Sequence, residues 1–401
     1  MKKVVVIGAG ASGLVAAIYA KKRYDEVILV EKNEICGKKI LATGNGRCNF
    51  WNEDQSIEHY RGSEMKKIEE VLSAKNKEEA LKFFEKIGIK AKIKNGYYYP
   101  FSNQASSMQR ALILEATKQK VNIKTSEEVI DIVKKGDKFE IITKSKEKIL
   151  ADLVILATGS KAAPKTGSDG IGYELCKKFG HSINKPMPAL VQLKANGKFL
   201  KEWEGVRSDV SIFLYENGKK IASEVGEIQL TNYGISGICV FNLSGRVSTG
   251  LEKNKKEEIK INFLNGLNIK NEDEFIEWME KRDRVLEDRN ILEELEGILN
   301  YKLVKVLLKL SNINETEKWE KLSDISKKNL AKNMIEFTLN ITGTNSFDKA
   351  QVCTGGVPIE EVDVNTMESR KQKGLFITGE LLDVDGDCGG YNLEWAWITG
   401  M

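Results

Sequence analysis

The strand, glycine turn and helix at the start of this chain constrain its fold more than any other feature. Lys3 to Ile7 is a short β-branched run, Gly8-Ala9-Gly10-Ala11-Ser12-Gly13 follows at once, and an alanine-rich helical stretch runs from Ser12 to Lys22. Glu26 to Val30 is a second apolar run, and it ends in Glu31. The change from a continuous apolar run to helical periodicity and back predicts a βαβ unit, and its right-handed crossover requires a parallel sheet. A G-x-G-x-x-G placed between strand and helix, with an acid 23 residues after Gly8, is a dinucleotide-binding pattern. Gly8 allows the tight turn, Gly10 lets the backbone approach a pyrophosphate, and Gly13 lets helix and strand pack closely. The free N–H groups of the helix start suit phosphate. Glu31 can accept hydrogen bonds from both hydroxyls of an adenosine ribose and would repel a 2′-phosphate.

With 401 residues, two domains are expected. Residues 64–90 read as two helices, Met65 to Leu72 and Glu78 to Ile87, and Ser106 to Lys118 as another. Val121 to Ile123 is a short strand, Glu128 to Leu150 a three-stranded antiparallel meander, and Asp152 to Leu156 a buried strand ending in Ala157-Thr158-Gly159. After Pro186–Leu193 the texture becomes β-rich, then charged and helical from 270 to 337. Glycine-rich α/β text returns at Phe347, with a buried strand at Gly374 to Thr378. This predicts a discontinuous nucleotide-binding domain, residues 1–189 and 342–401, with an inserted domain at 190–341 that is β up to about 265 and helical from about 266. Its borders are expected near Pro188 and Gly343.

Two further clusters carry chemistry. Gly37-Lys38-Lys39-Ile40-Leu41-Ala42-Thr43-Gly44-Asn45-Gly46-Arg47-Cys48-Asn49 makes a polar loop rich in backbone donors. Glu380 stands at the end of a strand, and the helix start near Asn392, after Gly389-Gly390, would present N–H groups to the N1–C2=O edge of a flavin. The acids Asp383, Asp385 and Asp387 lack the spacing of an EF-hand. No C-x-x-C occurs among six cysteines, which excludes a zinc ribbon and a dithiol pair and fits a reducing cytoplasm. The two histidines, His59 and His181, stand near no partner motif, so no histidine metal site or triad is expected. With a net charge of +4 and scattered lysines, composition argues against a nucleic-acid surface, and no apolar run of 18 residues suggests a membrane span.

These segments together resemble the BaiN-like (YhiN-like) flavoproteins, bacterial FAD-dependent oxidoreductases of the two-dinucleotide-binding-domain superfamily. The likeness spans the whole chain and is carried by GAGASGLVAAI, EKNEICGKKILATGNGRCN, LATGSKAAPKTGSDGIGYEL, PALVQL, LTNYGISG, CTGGVPIEEVDVNTMES and GLFITGELLDVDGDCGGYNLEWAW. It implies an α/β architecture: a Rossmann-type FAD-binding domain, parallel sheet plus small antiparallel meander, with an inserted β-barrel and helical domain covering the flavin. It implies FAD contacts from Gly8, Gly10, Ala11, Ser12 and Gly13 at the pyrophosphate, and from Glu31 and Lys32 at the adenosine ribose. Lys38, Thr43, Gly44, Arg47 and Asn49 would lie along the pyrophosphate, ribityl chain and flavin, and Val129 at the adenine. Thr158 and Gly159 would close the strand exit; Glu380, Gly390, Asn392 and Leu393 would hold the ribityl and flavin end. The family's Thr-His-x-Gly-x-Ser-Gly-Pro reads Thr231-Asn232-Tyr233-Gly234-Ile235-Ser236-Gly237-Ile238 here, so a role of that histidine does not transfer. The likeness also places the end of the last helix one or two turns beyond Met401.

The resemblance implies an oxidoreductase acting on a small-molecule substrate, with enone reduction and amine oxidation as the family's associations. The alternatives are a tRNA-modifying flavoprotein and an FAD-binding protein without its own turnover. No second dinucleotide motif is present, so NAD(P)H is expected to dock transiently at most. No catalytic acid or base stands out; Arg47 and Tyr391 are candidates, and Cys388 reads as structural. The oligomeric state is not readable.

Overall fold

The computed structural model describes residues 2–74 and 77–401. The chain divides into two compact units, residues 1–188 with 347–401, and residues 189–346.

The first unit is a Rossmann-type α/β fold. Strand β1 (Lys3–Ile7) lies at the centre of a five-stranded parallel sheet. Leu153–Leu156 and then Leu375–Ile377 flank it on one side; β2 (Glu26–Val30) and Asn122–Lys124 flank it on the other. Helix α1 (Ala11–Lys21) is buried along most of its length, from Ser12 through Ile18. Its run of Gly, Ala and Val gives a narrow helix that strands and a second helix can approach closely. That second helix is the last one, Tyr391–Gly400, whose Trp395 and Trp397 are also buried. A three-stranded antiparallel meander, Val129–Lys135, Lys138–Thr143 and Lys148–Ala151, lies where period-2 alternation and the Gly136 turn predict it. The helices expected at 64–90 are Met65–Ala74 and Lys77–Lys86; their junction, residues 75 and 76, lies outside the described residues.

The glycine turn is held by backbone crowding. A Cβ on Gly13 would stand 1.8 Å from the Gly8 carbonyl oxygen, and one on Gly8 would stand 2.5 Å from the Ala157 carbonyl oxygen. The turn therefore joins α1 to the ends of two strands at backbone distance. Gly10 differs, because a Cβ there would meet nothing within 4 Å.

The second unit contains a closed antiparallel barrel of six strands in the order Leu193–Ala195, Gly234–Ser236, Lys219–Thr231, Arg207–Glu216, Glu257–Asn262 and Phe337–Thr344. Two features differ from the sequence reading. Residues 238–252, inside the stretch read as β, form a helix whose buried positions Cys239, Val240, Leu243, Ser244 and Val247 follow helical spacing. Its β-branched and glycine content hid that period. The barrel's closing strand comes from Phe337–Thr344, mostly inside the stretch read as helical, where burial alternates residue by residue. Helices Glu272–Leu286, Ile291–Leu295, Tyr301–Leu310 and Asp324–Ile335 precede it. The segment that departs from the family motif forms the turn from the long barrel strand to Gly234–Ser236. Among the described residues, no helix is long and apolar enough to cross a membrane.

Gly13→Ala is expected to destabilise the protein by at least about 1–3 kcal/mol, because the methyl group meets an immovable backbone oxygen. Gly10→Ala should change stability by less than about 0.5 kcal/mol. Thermal melts of both variants without added cofactor test the contrast; equal losses would contradict it.

Candidate functional site

The candidate site lies at the C-terminal ends of the parallel strands, where open α/β sheets bind ligands. Helix α1 begins at Gly10, and no side chain caps it. Its first N–H groups, from Ala11, Ser12 and Gly13, have no acceptor within the helix, and a Cβ on Gly10 beside them would meet open space. The last helix begins in the same way at Gly390, again with no side-chain cap. A Cβ on Gly390 would stand 2.9 Å from the Trp51 backbone, so this helix start is pressed against the Trp51–Asn52 strand.

Glu31 is buried, and its carboxylate is already engaged within the protein. Oε2 accepts from the Ala9 N–H at 2.8 Å, and Oε1 accepts from the Asn33 N–H at 2.8 Å and Asn33 Nδ2 at 2.7 Å. An ionised carboxylate has about four acceptor positions, so roughly one is left for a hydroxyl. The sequence reading had Glu31 accept from both ribose hydroxyls; in the structure one of its bonds goes to Ala9 of the glycine turn and two go to Asn33. Lys32 points to Asp169 at 2.7 Å, in the loop containing Gly167 and Gly170. That loop closes over the end of β2, where Asn33 Nδ2 also meets the Thr166 carbonyl at 3.2 Å. Val129 is buried at the start of the meander, beside Glu127, whose N–H bonds to the Glu31 carbonyl.

The Gly37–Asn49 loop is irregular. Gly44, Asn45, Gly46 and Cys48 take positive φ angles, and a Cβ on Gly44 would stand 2.8 Å from the Asn49 N atom. Thr43 donates to the Ile40 carbonyl, and the Asn49 Oδ1 atom is buried without a hydrogen-bond partner. Lys38 is exposed, whereas Lys39 forms a 2.7 Å ion pair with Glu380. Lys39 is thus a site residue that the sequence reading passed over; only a strand-end acid needing a cation hinted at it. The other oxygen of Glu380 and the hydroxyl of Thr158 are buried without hydrogen-bond partners. Gly159 is left-handed, and a Cβ there would stand 2.5 Å from Ser168 Oγ. Arg47 is exposed; its guanidinium lies 5.4 Å from the ring centre of Tyr99 and so faces the neighbouring hairpin. Asn392 binds both backbone groups of Gly386, at 2.9 and 2.7 Å, and so fixes the loop before the helix; Leu393 is half-buried.

Beside this helix start lies a cluster that the sequence did not reveal. His59 bonds Asp387 through Nδ1 and Asp54 through Nε2, each at 3.0 Å, and its ring stacks on Tyr391 at 4.4 Å. Arg61 pairs with Asp387 at 2.5 Å. Burial opposes the charge on His59, but its bonds to Asp54 and Asp387 outweigh it and raise the pKa. Burial also raises the Tyr391 phenol above its ordinary range. In the acidic loop burial raises both Asp383, against its bonds from the Gly355 N–H and Asn184, and Asp385, which it drives up to about 7 against the pull of Arg61 and Thr354. Glu394 is pushed up to about 8 by burial, with Gln55 and Tyr60 opposing.

A profile described as "HI0933-like protein Rossmann domain" matches residues 2–401. The 3-dehydro-bile acid delta(4,6)-reductase of Clostridium scindens is 40% identical, over 100% of this chain and 97% of its own. The ribosomal RNA dihydrouridine synthase of Escherichia coli is 26% identical, over 98% and 95%. Among solved structures, a 3-ketosteroid-delta4-(5alpha)-dehydrogenase from Rhodococcus jostii has the same fold, with a TM-score of 0.50 and 15% identity, over 100% of this chain and 96% of that one.

Two outcomes follow from this geometry. Glu31→Ala leaves the Ala9 N–H without its acceptor, so the cofactor-free protein is expected to lose about 1–3 kcal/mol in denaturant titrations; unchanged stability would mean the turn holds without Glu31. Glu394 is protonated in the folded state and ionised in the unfolded state between about 4.5 and about 8. Its contribution is full at low pH and is lost as the pH rises through that window, by up to about 1.4 kcal/mol per pH unit. Glu394→Gln should flatten the fall of melting temperature between pH 5 and 8, and parallel curves would refute this.

Proposed function

The chain belongs to the HI0933-like family, and from that premise we propose that it is an FAD-dependent oxidoreductase reducing a carbon–carbon double bond conjugated to a carbonyl in a small-molecule substrate. The observation that carries the reading is the pair of uncapped, glycine-led helix starts, one of them opening on empty space at Gly10, with Gly379 packed on Ser12 of α1 and the next residue, Glu380, keeping one buried oxygen without a partner. Such a cradle fits a ligand with a diphosphate, a polyhydroxyl chain and a charge-accepting ring. The N–H groups of Ala11, Ser12 and Gly13 would hold the diphosphate. Glu31 keeps one acceptor position for a ribose hydroxyl, with Val129 beside it. Lys39 orients Glu380, whose free oxygen would accept from a ribityl hydroxyl. Thr158 and Asn49 offer further buried partners. The N–H groups at Tyr391–Leu393 would stabilise negative charge developing on the flavin edge.

When bound, FAD supplies the hydride chemistry that these side chains lack. The protein's own part is orientation and proton supply: the Tyr391 phenol and the His59 imidazole both favour the protonated form at this end of the site. The name of the 40%-identical relative supports enone reduction over amine oxidation. A dihydrouridine is a uridine with its C5=C6 bond reduced, so the more distant relative's name describes the same kind of bond change. NAD(P)H is proposed as a transiently docked electron donor.

The purified protein should be yellow and release FAD, not FMN, on boiling. Under argon, NADH or NADPH should bleach the flavin band and a 4-en-3-one steroid should restore it. Gly10→Ala should lower FAD occupancy while the melting temperature of the cofactor-free protein stays unchanged. Release of FMN, or bleaching by amines and not by reduced nicotinamide, would overturn the reading.

A further inference from the structure

The hairpin Ala91–Lys94 and Tyr97–Pro100 borders the start of the last helix. A Cβ on Gly389 would stand 3.2 Å from a Tyr97 ring carbon, and Asn52, paired with Tyr97 across the strands, donates to the Gly389 carbonyl at 2.9 Å. The hairpin register places Lys94 opposite Tyr97 and Lys92 opposite Tyr99. Directly paired residues share a face of a sheet, as do residues two apart on one strand. Lys92, Lys94, Tyr97 and Tyr99 therefore form one face, with Tyr97 at the glycine pair and Tyr99 about 7 Å further along. Arg47 reaches this face from the Gly37–Asn49 loop and lies over Tyr99.

A cavity of about 230 Å³ opens here, lined by Arg47, Lys92, Lys94, Tyr99 and Asn103. No carboxylate lines it. Among the described residues neither Lys92 nor Lys94 has an ion-pair partner, whereas Lys90, just before the hairpin, pairs with Glu85. Three cations around one notch, without compensating acids, repel one another unless an anion joins them. Their convergence on one small volume fits a single anionic group better than the extended cationic track of a polymer backbone.

We propose that this notch is a substrate subsite that binds the carboxylate of an amphipathic organic acid, whose apolar body lies along the Tyr97–Tyr99 face toward the helix start at Gly390. The proposal rests on the reading of that helix start as the flavin end of the site. It makes charge on the substrate, remote from the reacting bond, a determinant of specificity.

The test uses the holoprotein and three probes: cholate, its neutral methyl ester, and an eight-nucleotide oligouridylate. Dissociation constants are measured by calorimetry at two salt concentrations, and bound FAD is measured separately by absorbance. Cholate should bind at least tenfold more tightly than the ester. Lys92→Glu with Lys94→Glu should weaken cholate at least tenfold, the milder Lys92→Gln with Lys94→Gln should weaken it less, and both should leave FAD occupancy unchanged. Equal binding of acid and ester, or indifference to both double variants, would overturn the proposal. Oligouridylate binding more tightly than cholate and lost in the same variants would overturn it in favour of a nucleic-acid surface. Charge-dependent cholate binding by a protein that takes up no FAD would support the notch while removing the flavin reading. Normal FAD uptake and enone reduction with charge-independent binding would do the reverse.

Discussion

The contact between the Gly13 Cα and the Gly8 carbonyl oxygen determines how the site is built. With no side chain between them, the first turn of α1 sits directly on the end of β1, and its N–H groups are aimed at one point. Other close approaches lock the same turn: a Cβ on Gly379 would stand 2.5 Å from Ser12 Oγ, and one on Gly400 would stand 2.6 Å from the Ser12 carbonyl oxygen. The strand-end loop carrying Glu380 and the end of the last helix are thereby referenced to the same few backbone atoms. Glu31 completes the arrangement from the other side, tying Ala9 to Asn33. Crowding of this kind fixes the backbone donors of the turn in place.

What could be read from the sequence were features encoded within a few residues. The βαβ unit, the meander and the strand at 375–377 all announce themselves by local period and by turn glycines. The packing roles of Gly8 and Gly13 were legible for the same reason, since a tight turn is a local requirement. The cluster on His59 was not, because its Asp387 partner is 328 residues away. Lys39 and Lys38 are indistinguishable in composition; only the fold decides which faces Glu380. The helix at 238–252 was hidden because its Val, Ile and Thr content suggests strand, and tertiary burial of one face overrode that propensity. The Lys/Tyr hairpin lacks a motif of any kind and becomes visible only through cross-strand register.

The acids beneath the last helix show a different economy. Asp383, Asp385, Asp387 and Glu394 are all buried within twelve positions of one another, against the single guanidinium of Arg61 and the imidazole of His59. Full ionisation there would be costly. Protonation of Asp385 and Glu394 relieves the repulsion, so the region carries less negative charge than its sequence suggests. The uncapped start of the last helix thus stands beside acids that are partly neutral.

The path of the chain has a consequence for how such a molecule comes into being. Leu156 and Thr378 meet at the C-terminal edge of the sheet, but 222 residues separate them. At roughly 5–20 residues per second of synthesis, about 10–45 s pass between the emergence of the two. Through that interval the nascent sheet ends in an unpaired strand, Leu153–Leu156, and the glycine turn lacks the Glu380 loop and the last helix that enclose it. The half-formed sheet waits on the ribosome with its apolar edge open, and residues 375–401 act as a closing clasp. Any interruption of translation inside the intervening segment leaves a chain that has begun a dinucleotide fold it cannot finish, which makes incomplete products of this gene natural clients for chaperones and proteases.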